Sequence, residues 1–157
     1  MLKLNKIQEE KYFEIIDKLK IKSIKITEIR SNIIKLIIIS EHINIQQLTL
    51  KLEKDLSNVN LASIYNTIDL LLKEHIITSN TFDGKNIWYE LSTNKSAHIK
   101  CDGCGKIEHV SADKIKNIDF DKFDHIISDK KQKLEHIKIE IHVICENCRS
   151  IKPTLSY

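Results

Sequence analysis

Two pairs of cysteines constrain the fold of this chain more than any other feature of its sequence. Cys101 and Cys104 form one C-x-x-C pair, and Cys145 and Cys148 form the second. Two thiolates three residues apart on a turn supply two corners of a tetrahedron, so two such pairs complete the four-thiolate shell of a structural Zn²⁺ site. A closed shell has no open position for a substrate. We therefore predict a structural zinc, bound by all four cysteines of the chain.

The distance between the two pairs in the sequence leaves alternatives open. The 40 residues between Cys104 and Cys145 exceed the length of a compact zinc ribbon, so the metal must join strands that a helix separates. Free thiols are one alternative, and a redox dithiol is another. A redox pair usually lies near a βαβ unit, and the sequence shows no such unit.

Length and composition exclude several classes of protein. With 157 residues the chain forms one domain or two small ones, which excludes a large multidomain enzyme. Apolar residues make up 41% and charged residues 30%, the balance of a globular protein with a core. Three glycines and one proline are few for an all-β fold. The net charge of +3 is too small to indicate nucleic-acid binding by itself.

The sequence shows no pattern typical of an export signal or of a transmembrane segment. Its longest apolar run is 36–39, whereas a membrane-spanning helix needs about 20 apolar residues. We therefore expect a cytoplasmic protein with no membrane partner. Cysteines in a reducing cytoplasm are more often metal ligands than disulfides.

Several segments of the first half have helical apolar spacing. The apolar residues of 7–19 and 28–39 recur at helical spacing, and their density in 28–39 predicts the buried helix. Asn44 with Gln47 resembles a capping box and predicts a short third helix. Asn60 predicts the start of a fourth helix, which has one apolar face.

A β-hairpin is predicted after the fourth helix. Asp83-Gly84 is a strong turn signal between the β-favouring runs 76–78 and 87–91. Short helices followed by a hairpin are the order of a winged helix-turn-helix, in which the hairpin is the wing. The order therefore predicts a DNA-binding domain over residues 1–91.

A second domain follows a polar hinge. Residues 92–95 have no periodicity and are the predicted hinge, so the second domain covers 96–157. Strands are predicted at 98–100, 107–110 and 137–144. The apolar residues between 115 and 127 predict one helix, which leaves Phe120 unexplained. The predicted fold class is α+β, with an N-terminal winged helix-turn-helix and a C-terminal α/β domain stabilised by the Cys₄ zinc.

The exposed face of the fourth helix is a candidate DNA-binding surface. Small residues such as Ser63 permit close approach to a groove, whereas Tyr65 and Asn66 reach bases or phosphates. The alternative interpretation is a solvated helix face. The predicted wing favours DNA.

A second metal site is a further candidate. His42 lies near a helix start, Glu90 ends the wing, and two more histidines flank the first cysteine pair, His98 before it and His109 after it. These elements can converge at the hinge. The alternative is that each is an ordinary surface or core residue.

The motifs in their order resemble the ferric uptake regulator family over about 24–148. The motifs are Asn60-Leu-Ala-Ser-Ile-Tyr-Asn, Trp88-Tyr-Glu-Leu, His98-Ile-Lys-Cys-Asp-Gly-Cys-Gly and Cys145-Glu-Asn-Cys. The resemblance implies a homodimeric bacterial repressor that binds double-stranded DNA. It also implies that the second domain is a dimerisation and metal-binding domain.

The resemblance implies three sets of site residues. The structural zinc ligands are Cys101, Cys104, Cys145 and Cys148. The ligands of a regulatory metal (Fe²⁺, Mn²⁺ or Zn²⁺) are His42, Glu90 and His98, with His109 where related members have a carboxylate. The DNA contacts are Lys25, Arg30 and Tyr65.

The chain departs from the family pattern at four positions. Ser96 replaces a second sensory histidine, and Lys95 and Ala97 replace the ligands of a further site, which we expect to be lost. Asn66 replaces the arginine that usually follows the recognition tyrosine. Because Ser96 is a poor ligand, a member that binds DNA with little metal control stays an alternative.

Overall fold

The computed structural model divides the chain into two compact units, 1–92 and 93–157. It describes residues 3–81, 84–92, 95–110, 112–128, 132, 134 and 137–151, with the backbone alone at 95, 96, 112, 124 and 151. Residues 93 and 94 of the predicted hinge lie outside the described residues. The mixture of helices and sheets in both units confirms the predicted α+β class.

The described part of the first unit contains helices around a small sheet. Its elements are α1 (Lys6–Ile21), α2 (Glu28–Ile39), β1 (Ile43–Asn44), α3 (Ile45–Asp55), α4 (Leu61–Lys73), β2 (Ile77–Asn80) and β3 (Trp88–Leu91). The helices begin where the sequence provides N-cap residues. Asn44 Oδ1 accepts from the amide of Gln47 at 2.8 Å, and the Gln47 side chain reaches back, so the predicted capping box is confirmed. Asn60 Oδ1 likewise accepts from the amide of Ala62.

The core of the first unit is built from isoleucine and leucine. As predicted, α2 is the buried helix, since Ile33 and Ile37 are fully inaccessible to solvent. Leu48 of α3 and Ile64 and Leu71 of α4 pack into the same core. This packing fixes which face of α4 stays outside.

The wing is an antiparallel ladder of β2 and β3, with Ile77 opposite Leu91 and Asn80 opposite Trp88. Gly84 has a φ of +66°, which suits a tight turn, and Asp83 lies outside the described residues. β1 adds a third strand on the other side of β3. It was not predicted, because two residues are too short to show a periodicity.

The second unit is a sheet with short helices. Its described elements are β4 (Lys95–Cys101), β5 (Ile107–His109), α5 (Ala112–Ile115), α6 (Asp121–Ser128), β6 (Ile137–Val143) and α7 (Glu146–Ile151). The strand order is β5-β4-β6, with β4 antiparallel to β5 and parallel to β6. A parallel pair needs a long crossover connection, which accounts for the long interval between the cysteine pairs.

The prediction of one helix between 115 and 127 is wrong. Two short helices, α5 and α6, occupy this region, with a turn between them. The turn lets Ile115 and Phe120 both reach the core of the unit, where they are buried with Ala97. Phe120, which helical spacing left unexplained, is therefore a core residue. No helix in the described ranges is long and apolar enough to cross a membrane.

Candidate metal centres and nucleic-acid interface

The four cysteines meet at one edge of the second sheet. Because β4 and β6 are parallel, both strands end at the same edge, where Cys101 pairs with Val143. Each strand runs directly into its cysteine pair. The four Sγ atoms lie within 4.8 Å of one another. The Sγ atoms of Cys104 and Cys145 are 3.9 Å apart, far beyond the ~2.05 Å of a disulfide.

The backbone around this cluster is shaped to receive the thiols. A Cβ atom at Gly103 would lie 2.7 Å from Cys148 Cβ and 2.8 Å from its Sγ, so a side chain there would displace that cysteine. The amide of Cys145 donates to Cys101 Sγ at 3.2 Å. Four soft donors in a closed group, with backbone amides directed at sulfur, fit a structural zinc ion.

These amides also change the acidity of the thiols. The hydrogen bond from the Cys145 backbone, followed by that from Cys104, lowers the pKa of Cys101 to about 6. A side-chain hydrogen bond with Cys145 and burial raise the pKa of Cys148. The Cys101 thiolate is therefore available at neutral pH before metal binds, and metal binding must displace the proton of Cys148.

An imidazole links the first cysteine turn to β6. His142 Nδ1 lies 2.8 Å from Asp102 Oδ1, and His142 Nε2 lies 3.0 Å from Glu140 Oε1. The amide of Asp102 also donates to the carbonyl of Val143 at 2.9 Å. Outer contacts of this kind orient the residues of a metal site.

The first unit brings together two side chains of types that can ligate a metal, a half-buried histidine and a buried glutamate. His42 Nε2 lies 3.2 Å from Glu90 Oε2, and Glu90 is only 4% exposed. The other carboxylate oxygen, Oε1, accepts from Asn80 Nδ2 at 2.7 Å and from Thr78 Oγ1 at 3.3 Å. These bonds fix the carboxylate and leave Oε2 on the side of His42.

The second unit holds a pair of imidazoles. His98 and His109 are directly opposite in the β4–β5 ladder, and their ring centroids are 4.5 Å apart. His98 is buried, whereas His109 is exposed. Since Cβ atoms that face each other across a ladder point to the same side of the sheet, the two rings share one face.

The exposed face of α4 borders a groove of about 520 Å³ in the first unit. Tyr65 is 50% exposed and lines this groove, together with Leu61 and the wing residues Lys85 and Ile87. Asn66 is exposed beside Tyr65, and Ser63 is half-buried. An exposed helix beside a hairpin is the arrangement by which a winged helix contacts a duplex.

A hydrogen bond joins Lys25, which precedes α2, to Arg30 in the first turn of that helix. Arg30 Nη1 donates to the carbonyl of Lys25, and the Arg30 amide donates to Thr27 Oγ1 at 3.3 Å. Lys25 is exposed, whereas Arg30 is half-buried. The Arg30 guanidinium thus holds the backbone that carries the Lys25 ammonium.

Sequence reasoning missed three supporting features. They are the close approach at Gly103, the two donors to Glu90 and the contact between Asp102 and His142. The donors to Glu90 had a partial signal, because Thr78 belongs to the predicted run 76–78. Asn80 lies two residues further along, and it shares the face of Thr78 because β2 extends to Asn80. The other two depend on how separate segments meet.

Comparisons with known proteins agree with this geometry. Residues 21–142 match the family model described as the Ferric uptake regulator family. The chain is similar to a peroxide-responsive repressor PerR of Staphylococcus aureus, with 25% identity over 142 residues that cover 90% of this chain and 93% of that protein. Its fold is similar to that of the Helicobacter pylori ferric uptake regulator, a structure with three functional metal-binding sites. That alignment has a TM-score of 0.65 and 21% identity, and it covers 99% of this chain and 100% of the other.

A DNA-bound protein has the same fold. The structure of a zinc uptake regulator complexed with zinc and DNA aligns with a TM-score of 0.59 and 19% identity. The alignment covers 94% of this chain and 98% of that one.

Proposed function

Because the chain belongs to the ferric uptake regulator family, whose members are metal-responsive transcription regulators, we propose that it represses genes by binding palindromic operators as a homodimer. The protein is a DNA-binding regulator and not an enzyme. We assign residues 1–91 to DNA binding and 96–157 to dimerisation and metal binding. Of the predicted hinge 92–95, the last residue, Lys95, already belongs to β4. We place the regulator in the cytoplasm, with its DNA.

The first metal of this proposal is a structural Zn²⁺. Its ligands are Cys101, Cys104, Cys145 and Cys148, whose Sγ atoms form a closed group of the kind that excludes substrate. The ion joins the ends of two parallel strands that are far apart in sequence. It therefore stabilises the second unit and takes no part in a reaction.

The second metal regulates DNA binding. The observation that supports it is that each compact unit holds a pair of ligands, His42 with Glu90 in one and His98 with His109 in the other. Three imidazoles and one carboxylate suit Fe²⁺, Mn²⁺ or Zn²⁺. An ion that uses all four ligands selects one orientation of the DNA-binding domain. Metal then raises DNA affinity because only that orientation presents both recognition helices of a dimer to successive major grooves.

The DNA contacts are assigned to two helices. Ser63, Tyr65 and Asn66 on α4 enter the major groove, and Lys25 contacts a phosphate from the start of α2. Arg30 supports that contact through the Lys25 carbonyl. The zinc uptake regulator whose complex with zinc and DNA has this fold supports a duplex as the partner.

The remaining alternative is a regulator with little metal control. Ser96 is a weak ligand where the family has a histidine, so this alternative predicts that DNA binding persists without the second metal. A thiol redox protein is not favoured, since family members are regulators.

Metal analysis tests the assignment of the second site. Protein purified anaerobically and loaded with Mn²⁺ should contain two metals per subunit, and a His42→Ala, His98→Ala double variant should contain one. The matched control is His125→Ala, because His125 is an exposed histidine on α6. Equal metal content in the intact chain and the double variant would contradict the assignment.

A further inference from the structure

Glu90 lies in the central strand of the small sheet of the first unit, so its carboxylate has a neighbouring strand on each side. The strand order is β1-β3-β2. Thr78 of β2 is directly opposite Glu90 in the antiparallel ladder. On the other side, Ile43 of β1 pairs with Tyr89, so His42, the residue before β1, comes level with Glu90. The two oxygens of one carboxylate can therefore meet groups from different strands.

Each carboxylate oxygen of Glu90 is in contact on its own side. Oε1 accepts from Asn80 Nδ2 at 2.7 Å and from Thr78 Oγ1 at 3.3 Å, and both donors belong to β2. Oε2 lies 3.2 Å from His42 Nε2. Because Glu90 is buried, a lost donor is not readily replaced by water, and a buried acceptor without a donor is costly. The carboxylate is therefore held across the sheet, with Oε1 turned toward β2.

This orientation limits how Glu90 can bind a metal. An ion shared with His42 meets Oε2, the oxygen on the side of that imidazole. For Oε1 to bind the same ion, the carboxylate would have to turn and break its hydrogen bonds with Thr78 and Asn80. Glu90 is thus held as a ligand that contributes one oxygen.

The number of oxygens contributed by Glu90 affects which ion binds best. Zn²⁺ is satisfied by four ligands in a tetrahedron, whereas Mn²⁺ belongs with the ions that favour octahedral, oxygen-rich sites. A one-oxygen carboxylate keeps the number of protein ligands low. Resting on the proposed regulatory metal, we propose that Asn80 and Thr78 are positioning residues that restrict Glu90 to one oxygen and thereby strengthen the preference of the site for Zn²⁺ over Mn²⁺.

The ratio of two metal affinities tests this proposal. With the Cys₄ zinc retained, competition with chelators should measure the affinity of the second site for Zn²⁺ and for Mn²⁺ in the full chain and in Asn80→Ala. We expect the ratio of Zn²⁺ to Mn²⁺ affinity to fall about 10-fold in Asn80→Ala, since losing an outer contact of this kind weakens metal binding by about 10- to 100-fold. Mn²⁺ should lose less, because the released Oε1 supplies it with a further ligand.

The second donor provides matched variants. Thr78→Val removes the hydroxyl and keeps the shape of the side chain, so it should change the ratio in the same direction as Asn80→Ala. Thr78→Ser keeps the hydroxyl and should restore the ratio of the intact chain. Ser79→Ala controls for general effects on β2, because Ser79 is exposed and successive side chains of a strand point to opposite faces. If Asn80→Ala fails to fold, the comparison of Thr78→Val with Thr78→Ser decides.

A spectroscopic measurement reports the ligand number separately from affinity. Co²⁺ bound at the second site absorbs visible light strongly when it has four ligands and weakly when it has six. Its absorption should weaken in Asn80→Ala and Thr78→Val relative to the intact chain and Ser79→Ala. Equal losses of affinity for both ions, or an unchanged ratio with an unchanged Co²⁺ spectrum, would overturn the proposal. An intact chain that binds no second metal would instead contradict the proposed function, and the inference with it.

Discussion

His98 and His109 face each other across the β4–β5 ladder with their ring centroids 4.5 Å apart. Ten residues separate them in sequence, and the turn that contains Cys101 and Cys104 brings them together. A four-cysteine zinc site would therefore stabilise the turn on which this pair depends. The proposed zinc and the proposed regulatory metal would then be coupled through one short hairpin.

The first prediction concerns His109. If it replaces the missing family ligand, His109→Ala should release the second metal and retain the Cys₄ zinc, because it removes one of four ligands. Ser96→His should tighten the second metal by adding a fifth. Metal content and competition with a chelator measure both effects. Full second-metal affinity in His109→Ala would show that His109 is not a ligand.

The second prediction concerns the zinc cluster. Cys101→Ser should remove zinc, because metal affinity is coupled to folding. The second unit should then unfold, or the proposed dimer should dissociate into monomers. Gly103→Ala should act similarly, since its Cβ would lie 2.7 Å from Cys148 Cβ. Gly105→Ala is the control, because it has a φ of +74° but no atom within 4 Å of an added Cβ. Its strain should lower stability by ~1 kcal/mol and spare the zinc. Zinc content and thermal unfolding report the outcome, and a stable zinc-free dimer of Cys101→Ser would refute the structural role.

The third prediction concerns pH. Amide hydrogen bonds lower the pKa of Cys101 to about 6 in the folded chain, compared with about 8.5 for an ordinary thiol. The folded state therefore favours the thiolate. Its contribution to stability is complete above about pH 8.5 and is lost as pH falls through 6. The ultraviolet absorbance of the thiolate should be followed as a function of pH immediately after a chelator removes the zinc, before the second unit unfolds. One thiol should titrate near pH 6 in the intact chain and be missing from Cys101→Ala, and identical titration curves for the two proteins would contradict the prediction.

The fourth prediction concerns DNA contacts. Tyr65→Ala should relax sequence specificity, whereas Lys25→Ala should weaken binding to all sequences and lower the salt slope by about one. Asn66→Arg should raise general affinity because it adds a charge that attracts phosphate. Fluorescence anisotropy over a range of salt concentrations separates these effects. If both alanine variants bind DNA as the intact chain does, the exposed face of α4 faces solvent and does not contact DNA.

Much of this architecture was predictable because it is determined by residues that are close together in the sequence. The Asn44 and Asn60 caps, the dense apolar spacing of α2 and the turn at Gly84 each depend on a few neighbouring residues. The turn between α5 and α6 was not predictable, because Phe120 is buried by packing against a sheet rather than by helical periodicity. Gly103 shows the same limit, since its constraint comes from Cys148, which lies far along the chain.

Metal control of this regulator is tested most directly by the effect of added metal on DNA affinity. The fluorescence anisotropy of a labelled operator fragment should be measured with zinc-replete protein while Mn²⁺ or Fe²⁺ is added anaerobically. The intact chain should be compared with the His42→Ala, His98→Ala double variant. Affinity of the intact chain should rise with occupancy of one further metal per subunit, and the variant should stay at the low-affinity level with its Cys₄ zinc intact. Equally tight binding by both proteins without the added metal would contradict metal control.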